Sequence, residues 1–159
     1  QPALGRMRLA ILGAGAWGTA LGIALSARHQ VTLWCRDPQQ QQRLVTERCN
    51  SRYLPGVTIS QSVRITADVG AALGNCELVV VAVPTAALRQ TLRVVAASDR
   101  NPDLAWLCKG FESGSAKYFK ESELWVKTKL PVAVVVTDNI LPKDEFKMEK
   151  VDRRRRNDE

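Results

Sequence analysis

Apolar residues in this chain gather in short, nearly unbroken runs, set apart by longer stretches in which apolar and polar positions mix. The first run is Leu9-Ala10-Ile11-Leu12, and others cover residues 31–35, 63–66, 78–83, 104–108 and 130–136. Apolar or β-branched runs of roughly four to eight residues predict strands, and runs without alternation predict strands buried on both faces. Pro84 stops the run at 78–83, and Lys109-Gly110 ends the one at 104–108. Between the runs, residues 19–25 read as a close-packing helix, 38–48 as a polar helix, 68–73 as a short helix and 85–97 as a longer one. Residues 117–127 could form another, with Tyr118, Glu121, Leu124 and Trp125 near one face. Strands alternating with helices argue an α/β domain, a doubly wound, mostly parallel sheet with helices on both faces.

The joint between the first strand and the first helix carries the most chemistry. Gly13-Ala14-Gly15-Ala16-Trp17-Gly18 is a G-x-G-x-x-G turn in strand-to-helix context, which makes the expected fold a Rossmann-type single domain over residues 7–137. Gly13 permits the tight turn, Gly15 has no side chain to keep a pyrophosphate off the backbone, and Gly18 lets the helix lie close to the strand. The helix N-terminus offers unpaired N–H groups and a partial positive charge, so an anionic diphosphate is the expected ligand. The other reading is a glycine-rich turn without a ligand.

Ligands of such sheets sit at the carboxyl ends of the strands, which singles out residues 13–18, Arg36-Asp37, Val83-Pro84 and Lys109-Gly110. An acidic residue after the second strand accepts hydrogen bonds from a ribose 2′-OH and selects NAD, whereas an arginine accommodates the 2′-phosphate of NADP. Arg36 comes first, which favours NADP or dual use. The alternative is a surface Arg-Asp pair opening the next helix. Pro84 either stops its strand or shapes the wall beside the nicotinamide ribose.

Composition narrows the class further. A chain of 159 residues with 45% hydrophobic content suits one globular domain, able to bury roughly 70% of its unfolded surface. Cys35, Cys49, Cys76 and Cys108 contain no C-x-x-C pair, so neither a zinc site nor a disulfide framework is expected, and reduced thiols suit the cytoplasm. His29 suits a surface or capping role better than catalysis or metal binding. Residues 9–27 carry no charge and are flanked by Arg6, Arg8 and Arg28, but Gly13, Gly15, Gly18 and Gly22 break the stretch, which argues against a signal or membrane anchor. A net charge of +7 and the run Arg153-Arg154-Arg155-Arg156 raise nucleic-acid binding. The run is bracketed by Asp152 and Asp158-Glu159 without interleaved aromatics, so no nucleic-acid partner is expected. A basic surface also suits a protein that collects phosphorylated small molecules.

Five blocks in order then resemble one family. Residues 13–21, Leu33-Trp34-Cys35-Arg36, residues 48–56 with their Arg-x-Asn-x-x-Tyr-Leu-Pro-Gly pattern, Val81-Ala82-Val83-Pro84 and Cys108-Lys109-Gly110-Phe111-Glu112 are similar to the amino-terminal domain of bacterial NAD(P)-dependent glycerol-3-phosphate dehydrogenases. The resemblance runs from about Met7 to Glu112. It implies an oxidoreductase that reduces dihydroxyacetone phosphate to sn-glycerol 3-phosphate, feeding phospholipid biosynthesis. It also implies that Ala16 and Trp17 contact the nucleotide through the turn, that Arg36 contacts the adenosine phosphate, and that Lys109 lies near both nicotinamide and substrate. An ammonium there can neutralise phosphate and polarise a ketone oxygen as hydride arrives. The plainer reading of Lys109 is a strand-end lysine in solvent. The family commonly has serine where Ala16 stands, so a hydroxyl donor is lost while the backbone N–H survives.

After about Ser113 the composition changes. Residues 1–113 hold one lysine and sixteen alanines, whereas residues 114–159 hold seven lysines and two alanines. Such a break suggests a junction: a frameshift, a fused segment, an engineered swap or a divergent tail. Where the family continues its last strand into a Ser-Gly-Pro loop, Val135-Val136-Thr137-Asp138-Asn139 stands here, which bears on substrate binding. Residues 138–159 are charged and mixed in sign, and a solvated tail is expected. No residue matches the proton-donating lysine that the family carries in a second, mostly helical domain. That catalytic domain is therefore expected to be absent and the chain alone inactive, the alternative being a dinucleotide-binding module without chemistry. A last strand left unpaired would favour a homo-oligomer.

Overall fold

A computed structural model describes residues 5–98, 102–107 and 132–134. In chain order the elements are β1 (Arg8–Leu12), α1 (Ala16–Ser26), β2 (Gln30–Trp34), α2 (Pro38–Glu47), β3 (Cys49–Asn50), β4 (Leu54–Thr58), β5 (Arg64–Thr66), α3 (Val69–Leu73), β6 (Leu78–Val81), α4 (Thr85–Ala96), β7 (Asp103–Trp106) and β8 (Val132–Val134). Six strands form one sheet in the order β5-β2-β1-β6-β7-β8, and every neighbouring pair in it is parallel. The chain leaves β1 in one direction through β2 and β5, then crosses to β6 and continues the other way. This is the doubly wound Rossmann arrangement, and its switch point lies between β1 and β6.

Burial on both faces explains why the strands lack polar alternation. Ala10 and Leu12 of β1 enter a core with Val79, Val81, Leu88, Leu92, Val95, Leu104 and Trp106, completed by Ala72 and Leu73 of α3. Leu9 and Ile11 point the other way, into a core with Val31, Leu33, Leu44, Ile59, Val63, Ile65 and Val80, against which Leu21, Ile23 and Leu25 of α1 pack. The buried residues of β1, β6 and β7 are therefore apolar whichever way they face, and charged residues such as Arg8 and Asp103 stand at the exposed strand starts.

Helix starts follow local chemistry. Asp37 caps α2 by accepting from the Gln39 N–H at 2.9 Å, with Pro38 in the first turn. Asp68 caps α3 by accepting from Gly70 and Ala71 at 2.8 and 3.2 Å. α1 starts at Ala16, inside the glycine motif and earlier than the apolar pattern indicates. β6 and β7 stop short of their apolar runs, at Val81 and Trp106.

At the amino edge of the sheet the chain is tied shut. The His29 ring Nδ1 accepts from the Met7 N–H at 3.2 Å, and the Gln30 N–H donates to the Met7 carbonyl at 2.8 Å. His29 thus ties the entry of β1 to that of β2. Arg8 pairs with Glu77 at 3.5 Å across exposed surface, and its N–H donates to the same carboxylate at 2.9 Å.

Two features depart from or complete the sequence pattern. β3 and β4 form a separate antiparallel pair with no counterpart among the predicted elements, because a two-residue strand and one containing Pro55 and Gly56 give no periodic signal. β8 pairs with β7 in the register Leu104↔Val132, Ala105↔Ala133 and Trp106↔Val134. The last apolar run therefore joins the sheet. The helix expected over 117–127 and the tail over 138–159 lie outside the described residues. No helix among the described residues is long and apolar enough to cross a membrane.

Leu33 has no exposed surface, so Leu33→Ala should lower unfolding free energy by about 2–5 kcal/mol. Val57→Ala, on the exposed strand of the hairpin, should stay within about 0.5 kcal/mol of wild type. Urea denaturation followed by circular dichroism measures both, and near-equal effects would contradict the two-core packing.

Candidate functional site

The glycine turn sits at the switch point and is pressed against the end of β6. The Gly13 N–H donates to the Trp34 carbonyl at 3.0 Å and the Ala82 N–H to the Leu12 carbonyl at 2.8 Å, so both neighbouring strands are still in contact where the chain turns. Gly13 has φ +118°, and a Cβ there would lie 2.5 Å from the Ala82 carbonyl oxygen. A Cβ on Gly18 would overlap the Gly13 carbonyl oxygen and reach 3.4 Å from the Ala82 Cβ. These two glycines let the turn and α1 close onto the sheet.

Gly15 is different. Its φ is −78°, an ordinary value, and a Cβ built on it meets nothing within 4 Å among the described residues. The space above it is open, and it lies at the N-terminus of α1, where Gly15 is the N-cap without a side-chain cap and the first turn holds no acidic residue. N–H groups and the positive end of the helix dipole thus face an uncovered space, the arrangement that accepts a phosphate. The residues present therefore fit a diphosphate.

The turn is held from outside by side chains of α2 and the hairpin. The Ala14 carbonyl accepts from Asn50 Nδ2 at 2.9 Å and from Gln40 Nε2 at 3.0 Å. Asn50 Nδ2 also donates to Thr19 Oγ1 at 2.8 Å, and Asn50 Oδ1 accepts from the Tyr53 N–H at 3.3 Å. Asn50 and Thr19 are 2% and 1% exposed, two of the three buried polar residues among the described residues. The sequence patterns include Asn50 within a block and leave it without a role. The available signal was a lone asparagine whose polar groups need partners once buried.

Around the turn, those of the other expected residues that are described lie at the carboxyl ends of β1, β2 and β6. Ala16 and Trp17 are exposed in the first turn of α1, Trp17 to 62%. Arg36 is exposed just beyond β2 and forms no ion pair among the described residues. Asp37 opens α2 as its cap, as one reading of the pair had it, but it does so without engaging Arg36. Pro84 is exposed at the N-cap of α4, directly after Ala82 and Val83. Lys109 lies outside the described residues, two positions past Leu107, whose N–H donates to the Val81 carbonyl at 2.9 Å.

Cys35 directly follows β2 beneath this edge and is 1% exposed. Loss of solvent pushes its thiol up to about 11, with the nearby Asp37 carboxylate adding to the shift. It is a neutral packing residue rather than a nucleophile. Cys35, Cys49 and Cys76 form no disulfide among the described residues.

A parallel sheet with an open glycine turn and an uncapped helix at its switch point defines a dinucleotide-binding domain of the Rossmann class. The chain belongs to the NAD-dependent glycerol-3-phosphate dehydrogenase N-terminus family, whose model matches residues 8–139. That span extends past Glu112, across the compositional change and through β8. Among relatives, the chain is 48% identical over 115 residues to "Glycerol-3-phosphate dehydrogenase [NAD(P)+]" of Nitrosospira multiformis, covering 70% of this chain and 34% of that protein. It is 50% identical over 111 residues to the protein of the same name from Nitrosomonas eutropha, with 70% and 34% covered. The crystal structure of the Coxiella burnetii glycerol-3-phosphate dehydrogenase superposes with a TM-score of 0.61 at 28% identity, covering 69% of this chain and 34% of that one. The yeast enzyme shares the fold, with a TM-score of 0.67 at 17% identity over 81% of this chain and 41% of that one. The chain thus spans about a third of the length of the relatives it matches.

The glycines should separate stability from binding. Gly13→Ala should cost at least about 2 kcal/mol because positive φ and the Ala82 carbonyl both oppose a Cβ, while Gly15→Ala should change stability by less than about 0.5 kcal/mol. Thermal melts of the two variants test the difference, and equal destabilisation would contradict the open space at Gly15.

Cys35 sets an alkaline limit. The folded thiol keeps its proton to about pH 11 against 9.0 for an ordinary thiol. On raising the pH, the unfolded chain loses that proton first, so stability present below pH 9 declines between pH 9 and about 11. Cys35→Ala should show a shallower decline in urea midpoint over that window; an unchanged slope would contradict the shift.

Proposed function

We propose that this chain binds NAD(H) or NADP(H) as the cofactor-holding part of a dehydrogenase that reduces dihydroxyacetone phosphate to sn-glycerol 3-phosphate. The observation that carries the reading is the open space over Gly15 at an uncapped helix N-terminus. The names of the relatives, which specify NAD(P)+ and glycerol 3-phosphate, support the same reaction. The N–H groups of Gly15, Ala16 and Trp17 would hold the diphosphate, with Gly13 and Gly18 keeping the turn narrow enough for it to approach. Pro84 would flank the nicotinamide ribose.

Arg36 would receive the adenosine 2′-phosphate, which favours NADP or dual use. Asp37 supports this, because its carboxylate is engaged by the Gln39 N–H and serves α2. When bound, the reduced nicotinamide supplies the hydride. Lys109 would neutralise the phosphate of a small phosphorylated substrate and polarise its ketone oxygen, lowering the cost of negative charge that develops there. The product is a precursor for phospholipid biosynthesis, and reduced cysteines suit a cytoplasmic setting.

Titration of the purified chain with NADPH and NADH, followed by nucleotide fluorescence, tests the reading. Saturable binding should be lost in Gly15→Val, whose side chain fills the diphosphate space. Arg36→Ala should weaken NADPH about tenfold, roughly 1.4 kcal/mol, and leave NADH within about twofold. No binding by either nucleotide would overturn the proposal.

Proton donation typically contributes about 10²–10⁴ in rate, and no residue of this chain matches the family's donor lysine. The 159 residues alone should therefore turn over dihydroxyacetone phosphate negligibly. NADPH oxidation proportional to protein concentration would refute that expectation.

A further inference from the structure

The Ala14 carbonyl is unusual in accepting two side-chain donors, one from α2 and one from the hairpin. Asn50 Nδ2 approaches it at 2.9 Å and Gln40 Nε2 at 3.0 Å, which fills both acceptor positions of the oxygen. We propose that Asn50, assisted by Gln40, is a positioning residue that fixes the orientation of the Ala14–Gly15 peptide so that the glycine turn presents N–H groups rather than a carbonyl oxygen to the diphosphate. The proposal rests on the dinucleotide reading above.

Peptide geometry supplies the argument. The C=O and N–H of a trans peptide point in opposite directions, so holding the Ala14 carbonyl toward the hairpin holds the Gly15 N–H on the other side. That N–H has no acceptor among the described residues. Gly15 tolerates either sign of φ, so rotating this peptide by half a turn meets little steric resistance, and the rotated form would aim a partial negative charge at the phosphate. The freedom that lets a ligand approach Gly15 is thus the freedom that would spoil the site. Something outside the turn has to remove it.

Asn50 is built for that task. It is buried to 2% exposure, and its amide nitrogen is engaged by the Ala14 carbonyl and by Thr19 Oγ1 in the first turn of α1. Its oxygen accepts the Tyr53 N–H within the hairpin. The orientation of the amide group is therefore determined from both ends. This gives the β3–β4 pair, which lies outside the main sheet, a function: it carries the residue that locks the turn.

The test uses the full chain with two ligands, NADPH and adenosine 2′-monophosphate, the second having the adenosine end but no diphosphate. Asn50→Asp keeps the size and the acceptor for Tyr53 but replaces both donors with a carboxylate oxygen. Gln40→Met removes the second donor from a half-buried position on α2 and leaves Thr19 bonded, so it remains informative if the buried variant folds poorly. Binding is measured at a temperature where the circular dichroism of each variant matches wild type.

Asn50→Asp should weaken NADPH by at least about tenfold and Gln40→Met by about threefold, with adenosine 2′-monophosphate within about twofold for both. Equal losses for the two ligands, or no loss of NADPH binding in either folded variant, would overturn the positioning role. A wild-type chain that binds no NADPH would instead overturn the dinucleotide reading itself.

Discussion

The rest of the structure depends on how closely the turn after β1 approaches the end of β6. Gly13 and Gly18 leave no room for a Cβ between the turn, the first helix and the Ala82 backbone. That contact sets the angle at which α1 leaves the sheet, and so the direction in which its N-terminus faces. It also falls where the strand order reverses, so the helices of the two halves diverge on opposite faces and leave a crevice above. The fold and the site are consequences of the same close contact.

Hydrophobic burial supplies the stability around that contact, but a few polar side chains supply its accuracy. Thr19 and Asn50 are buried with their polar groups satisfied by each other and by the turn. Such bonds add modest net stability, but an unsatisfied buried partner is costly, so the arrangement favours one geometry strongly over its neighbours. The apolar cores on either side of β1 could accept many substitutions of similar volume. The polar joint between the hairpin and the turn has far fewer equivalents.

Much of this architecture was legible in the residues because its cause is local. Unbroken apolar runs at residues 9–12 and 78–83 reflect burial on both faces, and Pro38 after Asp37 reflects a helix start. The glycines could be assigned because their spacing falls within six residues at a strand-to-helix joint, although the Ala82 backbone that Gly13 meets lies far along the chain. The hairpin was not legible as structure, since two residues in β3 and a proline in β4 carry no period. The role of Asn50 was hidden for another reason: its partner, the Ala14 carbonyl, is 36 residues away, and a carbonyl leaves no trace in side-chain identity. The sequence patterns therefore reached the residues around the glycine turn and passed over the role of Asn50, which bonds it from outside.

The tie between Arg8 and Glu77 has a consequence for how this surface can change. It closes the amino edge of the sheet, and β1 separates it from the glycine turn by roughly 16 Å of extended chain. That distance exceeds the screening length of about 8–10 Å at ordinary ionic strength. The charges at this edge are electrically remote from whatever anion the opposite edge holds. Substitutions there can adjust solubility or accommodate a new neighbouring surface while the anion's surroundings stay the same, so the two ends of a single strand are free to evolve on separate terms.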